Sequence, residues 1–382
     1  MVKWQSILES QNVPNPPPLT VNEASEIYSE APLNDLMFVA NQRRKYQIPG
    51  NIVTYLVDRN INYTNVCTIN CHFCSFYRPP GHVENYTQTY EQICDKVHEL
   101  EDIGGSRILM QGGVNPDIDF DWYTGLLEHL SEKFPGISLD CFSPIEIEGI
   151  ANVSGMCTKE VLSEFQSAGM HGLPGGGAEM LVDEVRFLAS PLKGSSENWL
   201  RIMGEAQELG LVTSATNVFG FGESVRQRVQ HMENIRNLQH RTLSMGKPGF
   251  TSFISWPVML ENNSFGKMNR GSNRLELGAG SVEYLRHVAI SRLFLNNIDH
   301  IQSSWPTMGM SIAQLALNAG ADDIGSTMME ENVVSASGTS KTEATIIELQ
   351  SSILDAGFIP AKRDSEYNIL EIGHHESLAS VV

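Results

Sequence analysis

Three cysteines in one short segment, Cys67-Thr68-Ile69-Asn70-Cys71-His72-Phe73-Cys74, have the spacing that lets a single loop grip three irons of a cubane iron–sulfur cluster. Such clusters are usually held by four cysteines, so a trio leaves one iron open to a small molecule. The best-known occupant is S-adenosylmethionine, bound through its amino and carboxylate groups. Electron transfer from the cluster then splits the sulfonium and releases a 5′-deoxyadenosyl radical. The segment therefore predicts a radical enzyme with a [4Fe-4S] cluster on Cys67, Cys71 and Cys74 and S-adenosylmethionine as cofactor. A structural zinc site would want four nitrogen or sulfur ligands, often as two separated pairs. No second Cys-x-x-Cys pair exists, and His72, adjacent to Cys71, would point away from a shared centre. The remaining Cys94, Cys141 and Cys157 are scattered and read as small hydrophobes. An iron–sulfur electron carrier is the reading from a different class, but a carrier needs neither an open iron nor a chain of this size.

Such chemistry needs a scaffold that surrounds the cluster, and the chain supplies the pattern of one. Short apolar or β-branched runs at about 61–66, 106–110, 136–142, 168–173, 211–219, 250–256, 299–303 and 321–326 predict strands. Amphipathic stretches at about 89–103, 121–133, 158–167, 197–209, 224–239, 280–296, 308–319 and 340–355 predict helices between and after them. Strands that alternate with helices pair in parallel through right-handed crossovers, and eight of them favour an α/β fold of the (β/α)8 TIM-barrel type. Ahead of it, Val13 to Pro18 is a stiff lead-in and Thr20-Val21-Asn22-Glu23 a capping box that opens a helix. The predicted organisation is an N-terminal helical extension over 1–50, the barrel over 51–356, and a C-terminal extension and tail over 357–382. The tail's Gly373-His374-His375-Glu376 reads as a solvated end.

Barrel enzymes place their sites in the loops that follow the strands. The cysteine segment follows the first predicted strand; Gln111-Gly112-Gly113 follows the second, Ser143-Pro144-Ile145-Glu146 the third, and Gly175-Gly176-Gly177-Ala178-Glu179 the fourth. Glycines let a ligand approach the backbone, so the amides of Gly112 and Gly113 could meet the amino or carboxylate end of S-adenosylmethionine; Gly175 and Gly176 could act likewise. Phe73, just before the last cysteine, would lie near the adenine or shield the cluster. Glu179, Glu330 and Asp140 are candidate bases or ligand anchors.

Composition narrows the partners. The 382 residues carry a formal net charge of −19, which opposes binding to nucleic acid, since phosphate recognition relies on Lys and Arg. No apolar run is long enough to span a bilayer, and Met1 to Ser6 lacks the basic-then-apolar start of a signal peptide. Unpaired cysteines suit a reducing, cytoplasmic compartment.

The flanks of the cysteine segment carry a resemblance. Asp58-Arg59-Asn60-Ile61-Asn62-Tyr63-Thr64-Asn65-Val66-Cys67, Cys74-Ser75-Phe76-Tyr77-Arg78, Ile301-Gln302-Ser303-Ser304-Trp305, Gly325 to Asn332 and Pro360-Ala361-Lys362-Arg363-Asp364 resemble the radical S-adenosylmethionine enzymes of the futalosine route to menaquinone, in their cyclising branch. The resemblance implies dehypoxanthine futalosine as substrate, hydrogen abstraction at ribose C4′ and ring closure on its benzoate, with a flavodoxin or ferredoxin as electron donor; aminofutalosine synthase and the tyrosine-condensing enzyme of deazaflavin biosynthesis are the alternative readings. Carried onto this chain, it puts Tyr77, Gln111 and Ser143 beside the cofactor, and makes Arg78, Arg363, Ser326 and Thr327 candidates for the benzoate carboxylate. The chain departs from the family pattern at Asp140 and Phe221, where histidines are common.

Overall fold

A computed structural model describes residues 3–269, 277–339 and 341–373; the tail from His374 onward, expected to be a solvated end, and the start of the helix expected from 340 lie outside them. The sheet comprises β1 (Ile52–Leu56), β2 (Asp58–Ile61), β3 (Arg107–Met110), β4 (Ser138–Cys141), β5 (Gly172–Leu173), β6 (Val212–Phe219), β7 (Phe250–Pro257), β8 (His300–Gln302), β9 (Asp323–Ser326), β10 (Ile359–Arg363) and β11 (Ile369–Ile372). Their order is β11-β10-β1-β9-β8-β7-β6-β5-β4-β3-β2, and every pairing is parallel except that of β10 with β11.

β1 and β2 are interrupted only at Val57 and act as one bent stave. The amide of Thr327 donates to Leu56 O (3.1 Å), that of Asn60 to Met329 O (3.0 Å) and that of Ser106 to Val57 O (3.1 Å), so this stave closes the ring between β9 and β3. The fold is the expected α/β barrel. Its first stave, however, precedes the predicted run at 61–66. Apolar periodicity missed it because Asp58, Arg59 and Asn60 are buried polar residues whose stave is held by partners far along the chain; Arg107 and Arg363 supply the charges near Asp58. The predicted run is instead an extended segment, with Asn62 donating to Gln111 O (3.1 Å) and Thr64 to Tyr86 O (2.8 Å).

Helices cover the outside, among them Tyr90–Asp102, Phe120–Lys133, Thr158–Ser167, Ser196–Leu209, Val225–Ser244 and Ser281–Phe294, close to the predicted spans. They bury apolar stripes against the sheet, and capping side chains satisfy the first turn of several; Thr89, Asp119 and Ser224 are such caps. Three further helices precede the barrel, and Thr20 and Glu23 form the expected capping box on the second, Val21–Glu30. Among the described residues, no helix is long and apolar enough to cross a membrane.

The two mouths of the barrel differ. The C-terminal ends of the staves open into long loops. At the other end, β10 pairs beside β1, and the turn to β11 sends Arg363, Ser365 and Tyr367 into the interior, where they line a cavity with Arg107 and Asp140.

Candidate active site

The cysteine segment crosses the open mouth and is fastened from several sides. Cys67 N–H donates to Arg78 O (2.9 Å), Thr68 N–H to Val114 O (3.0 Å), and His72 N–H to Ala189 O (2.9 Å). Arg78 gathers the carbonyls of Ser75, Phe76 and Tyr77 and pairs with Glu84, which fixes the return of the loop. Tyr77 donates to the side chain of Asn70, a residue in the left-handed region (φ 53°) at the loop's apex.

Cys67, Cys71 and Cys74 all line one cavity with Phe73, Tyr77, Gln111, Gly112, Gly113, Ser143, Gly176, Glu179 and Lys193. Burial pushes the Cys74 thiol up to about 11 and raises Cys67 as well, with the neighbouring cysteines adding to both. Three thiolates there demand a multiply charged metal centre, since metal binding drives deprotonation. Among the described residues, no group of three or more His, Cys, Asp or Glu could hold a single metal ion. Three cysteines on one cavity that do not converge on one ion fit a cluster, which spreads its ligands over several irons.

The glycines work differently from the sequence expectation. Gly112 N–H donates to Glu146 Oε1 (2.8 Å) and Gly113 N–H to Thr64 O (3.2 Å), so neither amide is free for a ligand. A Cβ on Gly112 would sit 2.7 Å from the Tyr63 ring, and one on Gly113 would collide with Val66 O. These glycines let the cysteine segment pack against β3. A Cβ on Gly176 would meet Gln111 Nε2 at 2.6 Å, while Gln111 itself donates to Phe142 O (3.0 Å). Gly175 lies deeper, its amide on Ser214 Oγ (3.3 Å). Ser143 caps the helix Pro144–Ser154 and donates to Glu146 Oε2 (2.6 Å).

Glu146 was not singled out in the sequence. Its carboxylate accepts from Tyr63 OH (2.9 Å), Gly112 N and Ser143 Oγ, yet burial outweighs these bonds and pushes its pKa up to about 7. The signal was present: Ser143-Pro144-Ile145-Glu146 has the form of a capping box. Lys193 was missed too, because an isolated lysine in a loop carries no signature.

Lys193 is only 6% exposed; its Nζ lies 2.5 Å from Glu179 Oε1 and 5.2 Å from the centre of the Phe73 ring. Burial disfavours its charge, but Cys71 and Glu179 outweigh burial and hold its pKa above the ordinary lysine value. The other Glu179 oxygen is buried without a partner, 3.9 Å from Arg186, and Glu179 itself takes a left-handed backbone (φ 42°). Arg186 ties the glycine loop down through Gly177 O (2.9 Å) and Ala178 O (2.7 Å). Phe73 packs edge-on against Phe221, 5.5 Å between centres.

The other two carboxylate candidates lie elsewhere. Glu330 pairs with Arg59 (2.8 Å) and Lys96, whose charges hold its carboxyl below the usual range despite burial. Asp140 faces the closed end, accepting from Ser365 Oγ (3.0 Å) beside Arg107 and His171. Arg363 is likewise spent, on Asp323 (2.5 Å) and against the Tyr367 ring, and Thr327 donates to Asp58 O (2.7 Å).

A second cavity continues from the first. Asn62, Phe73, Gln111, Gly176, Gly177, Glu179 and Val333 line both, and the second runs on to Asn60, Trp256, Gln302, Ser303, Ser304 and Met328. Its wall also includes Glu331, whose carboxylate accepts from the amides of Val333, Val334 and Ser335 at 2.8–3.0 Å and so holds that strap of chain over the mouth.

Comparison with known proteins agrees with this arrangement. Residues 61–235 match the Radical SAM superfamily, and residues 247–376 match the CofH/MqnC C-terminal region. The chain is 44% identical over 352 residues to cyclic dehypoxanthine futalosine synthase of Halalkalibacterium halodurans, covering 92% of this chain and 91% of that protein. The protein of the same name from Streptomyces coelicolor is 37% identical, with 93% of this chain and 86% of that protein covered. A differently named relative, 5-amino-6-(D-ribitylamino)uracil–L-tyrosine 4-hydroxyphenyl transferase of Archaeoglobus fulgidus, is 35% identical, with 87% and 93% covered. In fold, the chain resembles methylornithine synthase (PylB; TM-score 0.69, 17% identity, 100% of both chains). It also resembles HydG, a maturase of the [FeFe]-hydrogenase (TM-score 0.72, 15% identity, 94% of this chain and 75% of that one). The chain belongs to the radical S-adenosylmethionine enzymes, which use a [4Fe-4S] cluster and S-adenosylmethionine, and within them to the family that contains the cyclic dehypoxanthine futalosine synthases.

Proposed function

We propose that this enzyme cyclises dehypoxanthine futalosine to cyclic dehypoxanthine futalosine on the way to menaquinone. Full-length similarity to relatives of that name supports the substrate. One structural observation supports the chemistry: the cysteine cavity and the second cavity share a wall, so a substrate in the second lies against a cofactor in the first. Cys67, Cys71 and Cys74 hold the cluster in this reading. When bound, the cluster and S-adenosylmethionine supply a 5′-deoxyadenosyl radical, which takes the C4′ hydrogen of the substrate ribose. Ring closure on the benzoate, with one proton lost to a base and one electron returned to the oxidised cluster, would leave a product two hydrogens lighter than the substrate.

The chain's own part is to orient and enclose. Glu179, at the junction of the two cavities, presents an unpartnered carboxylate oxygen that accepts a hydrogen bond from a sugar hydroxyl or takes up the ring proton. Phe73 and Trp256 wall the reacting space together with Leu109, Val218, Ile254 and Met328, and Gln302, Ser303 and Ser304 offer polar contacts. Residues 51–356 form the catalytic barrel, with 1–50 and 357–382 as extensions. A flavodoxin or ferredoxin in the cytoplasm is the proposed electron donor. Anaerobic turnover with dithionite, S-adenosylmethionine and C4′-deuterated dehypoxanthine futalosine tests the reading. Deuterium should appear in 5′-deoxyadenosine alongside the lighter product. If 5′-deoxyadenosine forms without label or product, the substrate is discarded, and transfer to 5-amino-6-(D-ribitylamino)uracil is tried next, because relatives at 34–35% identity carry that name.

A further inference from the structure

Beside the cysteine segment, three ionised side chains are buried together with unequal charge. Lys193 and Arg186 bring two cations, and Glu179 one anion. Lys193 and Arg186 are 6% and 1% exposed, and Lys193 lines the same cavity as Cys67, Cys71 and Cys74, its Nζ 5.2 Å from the centre of the Phe73 ring inside the cysteine segment. A buried charge is costly unless it is paired, and Glu179 can neutralise only one of the two. Asp183 and Glu148 add weaker attraction to Arg186, but among the described residues neither cation has another carboxylate in hydrogen-bonding contact. Arg186 spends its bonds on the carbonyls of Gly177, Ala178 and Gly194, and one of its Nη atoms is buried without a partner.

Three thiolates and an iron–sulfur core together carry net negative charge, and reduction adds another unit. A cation held in a dry wall beside them stabilises the reduced state more than the oxidised one, because charge interactions are weakly screened there. Cluster potentials respond to net charge and surrounding polarity in this way. Lys193 reaches the wall because the loop after the helix Asp183–Ala189 folds back under the cysteine segment, with Ala189 O accepting from His72 N–H (2.9 Å).

We propose that Lys193 is a positioning residue of an electrostatic kind: its ammonium raises the reduction potential of the cluster, and Glu179 partly offsets it, so the pair sets how readily the enzyme accepts its first electron. The effect concerns the cluster alone and does not depend on the identity of the substrate.

The test is a potentiometric titration of the reconstituted enzyme, read by electron paramagnetic resonance without substrate. Lys193→Met should lower the ratio of reduced to oxidised cluster at a fixed potential about tenfold, which is 59 mV for one electron. Glu179→Gln should shift it in the opposite direction, and Lys193→Arg should stay near the parent. An unchanged midpoint in Lys193→Met overturns the proposal. So do midpoints of Lys193→Met and Glu179→Gln that move in the same direction, since that is what loosened packing would give. Should Lys193→Met fail to hold a cluster, the direction of the Glu179→Gln shift decides, a fall or no shift being the overturning result.

Discussion

The open and closed mouths of this barrel are both rich in charge, and they use it in opposite ways. At the closed mouth the charges are matched: Arg363 with Asp323, Arg292 with Asp322, His300 with Asp322 (2.6 Å), and Arg107 with Asp58. The Tyr367 ring lies between the Arg363 guanidinium (3.8 Å) and the His300 ring (3.9 Å), which seals the floor. At the open mouth Glu179 keeps an unpartnered oxygen, Glu146 titrates near neutrality, and Phe142, Glu179 and Met328 hold left-handed backbones. Charge density alone does not mark a functional site, and neither does a left-handed backbone, which Tyr367 also takes at the floor (φ 67°); a buried carboxylate oxygen left without a hydrogen bond beside a cavity does.

Breaking the open mouth should have the largest effect. Cys71→Ala should abolish turnover and reduce iron, from about four per chain for a cubane cluster, to near none, while circular dichroism stays that of the parent. Iron retained at the parent level would remove Cys71 from the ligand set. Breaking the closed mouth should instead cost stability. Asp323→Ala leaves Arg363 buried and uncompensated, a loss of about 3–5 kcal/mol, measurable by chemical denaturation. The cluster spectrum should survive in the folded fraction, and its disappearance would mean that the two ends are coupled.

A subtler contrast lies in pH. Glu146 has a raised carboxyl pKa, about 7 against an ordinary 4.5, so the folded state binds the proton more tightly than the unfolded one. Its contribution is therefore full below the unfolded value and is lost as pH rises from about 4.5 to about 7, by about 3 kcal/mol at most. Glu146→Gln should flatten the stability profile in that window relative to the parent; an unaltered slope would place the titration elsewhere. The smallest effect is expected at Glu330. Its partly exposed pairs with Arg59 and Lys96 lie outside both cavities of the open mouth. Glu330→Gln should cost about 1 kcal/mol or less and change kcat less than about threefold, well under one tenfold step of 1.36 kcal/mol. A larger fall in kcat would return Glu330 to the chemistry.

Much of this was legible in the chain and some of it was not, for physical reasons. The helices and later strands were readable because their burial follows a period of 3.6 or 2. The first stave was not, since Asp58-Arg59-Asn60 reads as a polar turn until Arg107, Glu330 and Arg363 are brought around it. Two helices, Pro144–Ser154 and Asp183–Ala189, fall between the predicted spans, because the first buries Glu146 along with its apolar residues and the second is only seven residues long. Asp140 and Glu330 looked like bases by residue type, but their partners lie 225 and 271 positions away.

What the sequence determined by itself was local: three cysteines close enough along the chain to face one centre, caps that start helices, and an alternation of strands and helices that favours a barrel. Those depend on spacing and backbone geometry over a few residues. What only the tertiary structure decided was which polar groups are neutralised. Charge compensation depends on distance in space, and in this fold it pairs Arg363 closely with Asp323 at the floor while leaving one oxygen of Glu179 without a hydrogen bond, 3.9 Å from Arg186, above it.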